Sequence, residues 1–135
     1  MIVFYDFFYS VRKNFFKNIL LILSFLYVKI YIASVFVLNL FIWIITFFIN
    51  SHKSEGLIIL HYNVGFGVDL VGNALDLFVI PVLGFVVATI NIFLVFIFLK
   101  DKNFKFIAHF LLVAAVIVNL FLLAALSLVY LINFK

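Results

Sequence analysis

The chain alternates between long runs without charge and short segments that hold almost all of its polar residues. Ile30 to Ile49 reads IYIASVFVLNLFIWIITFFI. At 1.5 Å per residue, an uncharged helix of this length crosses the roughly 30 Å of a bilayer's hydrocarbon core. Leu77 to Leu99 is a second such run, and Phe106 to Leu131 is a third, with His109 near its start. The polar segment Asn50 to Asp76 separates the first two runs, and the tight stretch Lys100-Asp101-Lys102-Asn103 separates the last two. The pattern predicts an all-α integral membrane fold of three transmembrane helices.

The start of the chain follows a different rule. Ile19 to Val28 is apolar but only about half the length needed to cross. A secretory signal peptide fits poorly, because the charges follow an aromatic start and no small-residue cleavage site comes after them. A separate fourth span would need a turn near Lys29, and Tyr27-Val28-Lys29-Ile30 offers no Gly, Pro or Asn for one. Sliding the first span back until Lys29 lies at its centre would cost about 2.5–3.5 kcal/mol. Tyr9 to Lys29 is therefore expected to be an amphipathic helix at the membrane interface. Ser10, Lys13, Asn14, Lys17, Asn18 and Ser24 fall on one face, and Phe15, Phe16, Ile19, Leu23 and Leu26 lie opposite, with Arg12 breaking the pattern. The resulting division is an interfacial segment, 1–29, and a three-helix domain, 30–135, whose loop spans 50–76.

Composition agrees with lipid as the solvent. Hydrophobic residues make up 70% and charged residues 10%, against about 45–50% and about 25% in ordinary soluble domains. A small water-soluble domain has too much surface to hide that much apolar area. Basic residues cluster beside two of the polar segments: Arg12, Lys13, Lys17 and Lys29 before the first run, and Lys100, Lys102 and Lys105 before the third. The loop between the first two runs holds only Lys53, and the C-terminus only Lys135. Excess Lys and Arg marks the cytoplasmic side, which predicts N-in, C-out with the 50–76 loop outside. Tyr27 and Tyr31 then mark the inner interface, and Tyr62 and Tyr130 the outer one. A single Arg and helix-end lysines do not form a nucleic-acid surface. Cysteine is absent, which excludes disulfides, thiolate metal sites and cysteine nucleophiles. Heavy use of Phe, Ile, Asn, Lys and Tyr is what an AT-rich genome produces, so the cytoplasmic membrane of a bacterium is the expected location.

Most of the polar chemistry lies in the outer loop, SHKSEGLIILHYNVGFGVDLVGNALD. Its glycines permit compact turns, and Asn63 and Asp69 can fold back on nearby amides. One reading is an ordered re-entrant or surface loop whose side chains satisfy its own backbone near lipid. The sharper one joins His61 and Asp69, with Asp76 or Glu55, in a metal or proton-linked site; a single His and an Asp eight residues on match no specific ligand spacing. Gly65-Phe66-Gly67 lacks the G-x-x-x-x-G-K-[ST] pattern of a phosphate loop. Asn73 and Asp76 have the spacing of a helix start, and Pro81 is expected to kink the helix that follows.

The pattern H-Y-N-x-x-x-x-x-D-x-x-G, with a Pro early in the next hydrophobic helix, resembles the small domain of unknown function at the N-terminus of SdpI-type membrane proteins. His61, Asn63, Asp69 and Gly72 match that pattern, and Tyr62 stands where the family often has Trp. Phe66 departs from the family's usual Gly, with Gly67 one residue later, and Glu55 to Leu60 lacks the family's two prolines. The resemblance covers about Ile59 to Leu99. It implies a membrane module with a sensing or toxin-immunity association and identifies no catalytic residue.

Within the runs, each helix carries one asparagine: Asn39, Asn91 and Asn119. Pro81, Gly84, Ala88 and Asn91 share one face, Asn39, Trp43 and Thr46 another, and Leu112, Ala115 and Asn119 a third. Lipid offers an amide no partner, so the three amides are expected to face one bundle interior, as glue between helices or as a polar path. Glue is preferred because the runs carry no acidic residues, and His109 is read as interfacial. No Ser-His, paired-carboxylate or H-E-x-x-H arrangement is present, so the expected function is non-enzymatic, without metal or cofactor. The outer loop would serve sensing, immunity or an accessory-subunit role, meeting a membrane or extracytoplasmic protein; an oligomeric transporter or channel subunit is the alternative. A reporter fused after Lys135 should read as extracytoplasmic and one inserted at Asn103 as cytoplasmic; cytoplasmic signal at both would require a fourth crossing.

Overall fold

A computed structural model describes residues 16–53, 56–63 and 65–134. Of the interfacial segment, Tyr9 to Phe15 lies outside the described residues, as do Glu55 and Lys135. Three helices are long and apolar enough to cross a membrane. Helix α1 is Leu26–His52, α2 is Val79–Ile97 and α3 is Phe104–Asn133. α2 is extended by 3-10 turns at Ala74–Phe78 and Phe98–Lys100, so the second span runs from Ala74 to Lys100. These helices carry large apolar side chains outward, including Phe36, Phe47, Phe85, Phe93, Phe110 and Phe121. An apolar exterior on helices of this length suits a hydrocarbon surround. Basic residues collect at one end of the bundle, where Lys29, Lys100 and Lys105 lie, and a β-hairpin closes the other.

The helix break near the N-terminus lies earlier than its sequence pattern predicts. Residues 16–24 are helical, Phe25 is extended (φ −80°, ψ 117°), and α1 begins at Leu26 instead of Ile30. Ser24 Oγ donates to Leu21 O at 2.6 Å, which competes for a carbonyl of the last turn without help from Gly or Pro. The Phe25 ring then packs on Tyr27 and Phe104. Lys29 sits in the first turn of α1, exposed, where its aliphatic stem lets the ammonium reach the interface. Segment 16–24 turns Ile22 to the bundle. Ile22 is buried with Val28, Val95, Phe104, Ala108 and Leu112, whereas Phe16, Leu23 and Leu26 are exposed.

α3 packs against both other helices, while α1 and α2 diverge around a groove lined by Phe36, Asn39, Trp43, Phe85, Ala88 and Thr89. The buried faces are Val28, Val35, Asn39, Ile42, Thr46 and Ile49 on α1, and Pro81, Gly84, Ala88 and Val95 on α2. Leu112, Ala115, Asn119 and Leu126 are buried on α3. Trp43 is half-buried at the edge of its face, beside Phe47 and Phe78. Pro81 is the third residue of α2, just after the 3-10 turn, so its missing N–H falls within the first α-helical turn and not in the helix interior.

The polar centre of the bundle joins all three helices through two of the asparagines. Asn39 Nδ2 donates to Asn119 Oδ1 at 3.2 Å and to the Pro81 carbonyl at 3.1 Å. Asn119 Nδ2 donates to Ala115 O at 2.9 Å and to Gly84 O at 3.4 Å. Asn119 is 0% and Asn39 7% exposed. Gly84 is required by this arrangement. A Cβ there would lie 2.7 Å from both Asn39 Nδ2 and Asn119 Oδ1, and 3.2 Å from Leu122 Cδ1. Asn91, expected in the same cluster, is not part of it. It is half-buried on a flank of α2, and its Nδ2 donates to Val87 O of its own helix at 2.9 Å. The reason is axial: the amide pair bonds at Pro81 and Gly84, and Asn91 lies seven residues beyond Gly84, about 10 Å along the helix.

Asn39→Leu and Asn119→Leu should each lower bundle stability by about 0.6 kcal/mol and at most about 2 kcal/mol. A double-mutant cycle should show coupling, because the two amides share a bond; strictly additive losses in a detergent unfolding titration would contradict it. Gly84→Val should cost more than either, about 1–3 kcal/mol, since the added methyls must push the amide pair apart.

Candidate functional site

The segment read from sequence as an irregular Gly-rich loop is a β-hairpin, so the described fold is mainly helical but not all-α. β1 is Leu57–Asn63 and β2 is Gly67–Asn73, paired antiparallel from Leu57↔Asn73 to Asn63↔Gly67. β-Branched and aliphatic residues, Ile58, Ile59, Val68 and Val71, favour extended backbone, and a short loop containing Gly65 and Phe66 connects the strands. Asn63 Oδ1 accepts the Gly65 N–H at 2.8 Å, forming the Asx turn that starts the reversal. Gly67 supplies the positive φ, +82°, that ends it.

Three contacts fix the hairpin to the bundle. Ile58 is buried among Ile42, Ile49, Ala74, Leu77, Leu126 and Val129, with Leu60 packed beside it. Asn133, in the last turn of α3, pairs with one β1 residue at two points: Ile59 N–H donates to its Oδ1 at 3.0 Å, and its Nδ2 donates to Ile59 O at 2.8 Å. The side-chain amide thus acts as a third-strand partner for that residue. At the hairpin's exit, Asn73 N–H donates to Asp76 Oδ2 at 2.9 Å. Gly72 leaves room at the same junction, because a Cβ there would lie 2.5 Å from Leu60 Cδ1 and 2.9 Å from Asp76 Oδ2, and those side chains would have to shift. Nothing in the sequence pattern marks Asn133 for this role except that it is an amide ending an apolar run.

The ladder is irregular on either side of His61. Leu60 is unmatched between Ile59↔Val71 and His61↔Leu70, and Asp69 is unmatched between His61↔Leu70 and Tyr62↔Val68. One extra residue on each strand restores the overall register and re-aims the side chains between them. His61 Nδ1 and Asp69 Oδ1 lie 2.6 Å apart, on side chains 62% and 44% exposed. A carboxylate only accepts, so Nδ1 carries the proton that bonds Asp69. The expectation that Asp69 would bond loop backbone is corrected here: its partner is the His61 side chain. Asp76 is engaged at the Asn73 amide and does not join the pair. Among the described residues no group of three or more His, Asp or Glu side chains forms a metal cage. The remaining hairpin surface is apolar: Tyr62, Val68, Leu70 and Val71 are exposed, and Phe66 at the tip is 90% exposed.

A second polar contact lies at the basic end. Tyr31 Oη on α1 is 3.1 Å from His109 Nε2 on α3, and the rings meet edge to face at 5.1 Å. His109, read as interfacial with no acidic partner inside a helix, has a tyrosine partner from another helix, and no carboxylate bonds it among the described residues.

Asn133→Leu should release the hairpin while leaving the helices in place. Leaving both polar groups of Ile59 unpaired costs about 1–3 kcal/mol, and hydrogen exchange at Ile59 and its neighbours should quicken; unchanged protection would show that Ile58 packing alone holds β1. No protein-family model, curated protein or solved structure matches this chain.

Proposed function

We propose that the protein is a non-enzymatic, three-span protein of a bacterial cytoplasmic membrane, oriented N-in and C-out, that meets an extracytoplasmic partner through its hairpin. The observation that carries the reading is the His61–Asp69 pair, anchored by the Asn133 clamp at the base of the same strand. A pair whose only task was local satisfaction would not need two compensating ladder irregularities beside it. The exposed His61–Asp69 pair sits on a hairpin that also exposes the apolar side chains of Tyr62, Val68 and Phe66, a combination suited to recognition. Among the described residues no serine, threonine or lysine is bonded to the pair.

The orientation rests on Lys29, Lys100 and Lys105 gathering at the end opposite the hairpin. Helical segment 16–24, with Ile22 against the basic end of the bundle, fits an interfacial start to the chain. A role in sensing or toxin immunity, as the resemblance to the SdpI-type domain implies, needs no more than this. A transporter or channel is the weaker reading, because the central amides are engaged by each other and by helix carbonyls.

His61→Ala and Asp69→Asn should each abolish whatever phenotype deletion of the gene produces, with the protein still inserted at normal level. If His61→Ala behaves as wild type in an assay that the deletion strain fails, the hairpin site is not the functional one. Ion flux through liposomes holding the purified protein would transfer the assignment to the transporter reading.

A further inference from the structure

The groove between α1 and α2 holds an open hydrogen-bond acceptor at the middle of the membrane. Both N–H bonds of Asn39 are used, one on Asn119 Oδ1 and one on Pro81 O. Its own Oδ1 has no donor among the described residues, although Asn39 is only 7% exposed. The atom is not sealed inside the bundle: the enclosed side-chain oxygens without a partner are Tyr27 Oη and Thr46 Oγ1. Asn39 lines the groove, and its remaining exposure opens there. It is the midpoint of Leu26–His52, about 20 Å from either end. Neither water nor an acyl chain supplies a donor at that depth.

A donor lines the same groove. Trp43 lies one turn from Asn39 on the same wall, with ring contacts to Phe47 and Phe78. Its indole N–H has no partner among the described residues, and it sits deeper than the interfacial belt where tryptophan is usual. On the facing wall Thr89 is engaged, its Oγ1 donating to Phe85 O at 2.8 Å, so its proton is not free for Asn39. The groove encloses about 260 Å³. Benzene already fits an apolar cavity of about 150 Å³, whereas a helix about 10 Å across occupies roughly 400 Å³ per turn. A ring with a short substituent fits; a transmembrane helix does not.

We propose that this groove binds a bilayer-dissolved molecule with an aromatic hydroxyl, a phenol or quinol whose apolar tail runs out among the lipids. The hydroxyl donates to Asn39 Oδ1. Its oxygen is also an acceptor, which suits a groove whose other open polar group is an N–H. Depth excludes phospholipids, because their polar groups stay at the interface about 15 Å from the midplane. An ammonium donor would carry a charge into hydrocarbon at high cost. Phe36, Trp43 and Phe85 present aromatic side chains to a ring. The inference is independent of the hairpin's role, since it concerns a site inside the membrane.

Trp43 is the only tryptophan of the chain, so its fluorescence reports occupancy directly. With the whole chain in phosphatidylcholine vesicles, para-decylphenol should change that fluorescence saturably. The methyl ether of the same phenol keeps ring and tail but loses the donor, and should bind about 3- to 30-fold more weakly. Thr89→Phe, at the exposed rim of the groove, should abolish the saturable change. Asn39→Leu should bind phenol and ether alike; if that variant does not fold, the ether comparison on the wild-type protein still decides. A benzoquinol with the same tail that binds more tightly than the phenol assigns the site to quinols, and weaker binding assigns it to monohydric phenols. A linear, non-saturating response to the phenol, equal binding of phenol and ether, or an unaltered response in Thr89→Phe would each overturn the proposal.

Discussion

Everything in the bundle is arranged around one shared hydrogen-bonding problem: two amides in a medium that offers them no partner. Asn39 and Asn119 solve it by bonding each other and by taking backbone carbonyls from the one helix segment that can come close enough. Gly84 makes that approach possible, because a side chain would occupy the space that the amides use. The pair therefore does more than add a bond. It selects which face of each helix is inside and at which height the three helices meet, a restriction that apolar packing in lipid imposes weakly.

From that centre the two ends are closed by different means. At the hairpin end, Ile58 continues the apolar core beyond Ile49 and Val129, and Asn133 lends its amide to the backbone of Ile59. A two-stranded ribbon is marginal by itself in water, so a strand held by a helix terminus is the condition for displaying His61 and Asp69 in one geometry. At the basic end, the bend at Phe25 returns segment 16–24 to the bundle, and the Tyr31–His109 contact ties α1 to α3.

The three helices are not equivalent. α3 touches both neighbours, whereas α1 and α2 separate around a lipid-facing groove. Of the three spans, the second has the smallest buried share, 17% of its most apolar window against 28% for the others. Its surface therefore has the most room for a contact beyond the monomer.

The order of hydrophobic and polar residues by itself determined three spans, the concentration of polar chemistry between the first two, and the inward faces of α1 and α3 around Asn39 and Asn119. These follow from length, charge and a 3.6-residue period, which are local properties. It also pointed to Gly84 and Ala88 as the close-packing side of α2. What only tertiary structure decided is where a local preference had competitors. Glycines and amides between Leu57 and Asn73 are compatible with loop or hairpin, and Ile58 entering the core with Asn133 pairing Ile59 selected the hairpin. Asp69 could bond backbone or His61, and two ladder irregularities chose the histidine. Asn91 shares a helical face with Gly84 on a wheel, yet it lies about 10 Å further along the axis, where no amide from another described helix meets it. In the first two cases residues distant in sequence compete for one hydrogen bond or one volume, and in all three a periodic pattern holds no record of which of them arrives.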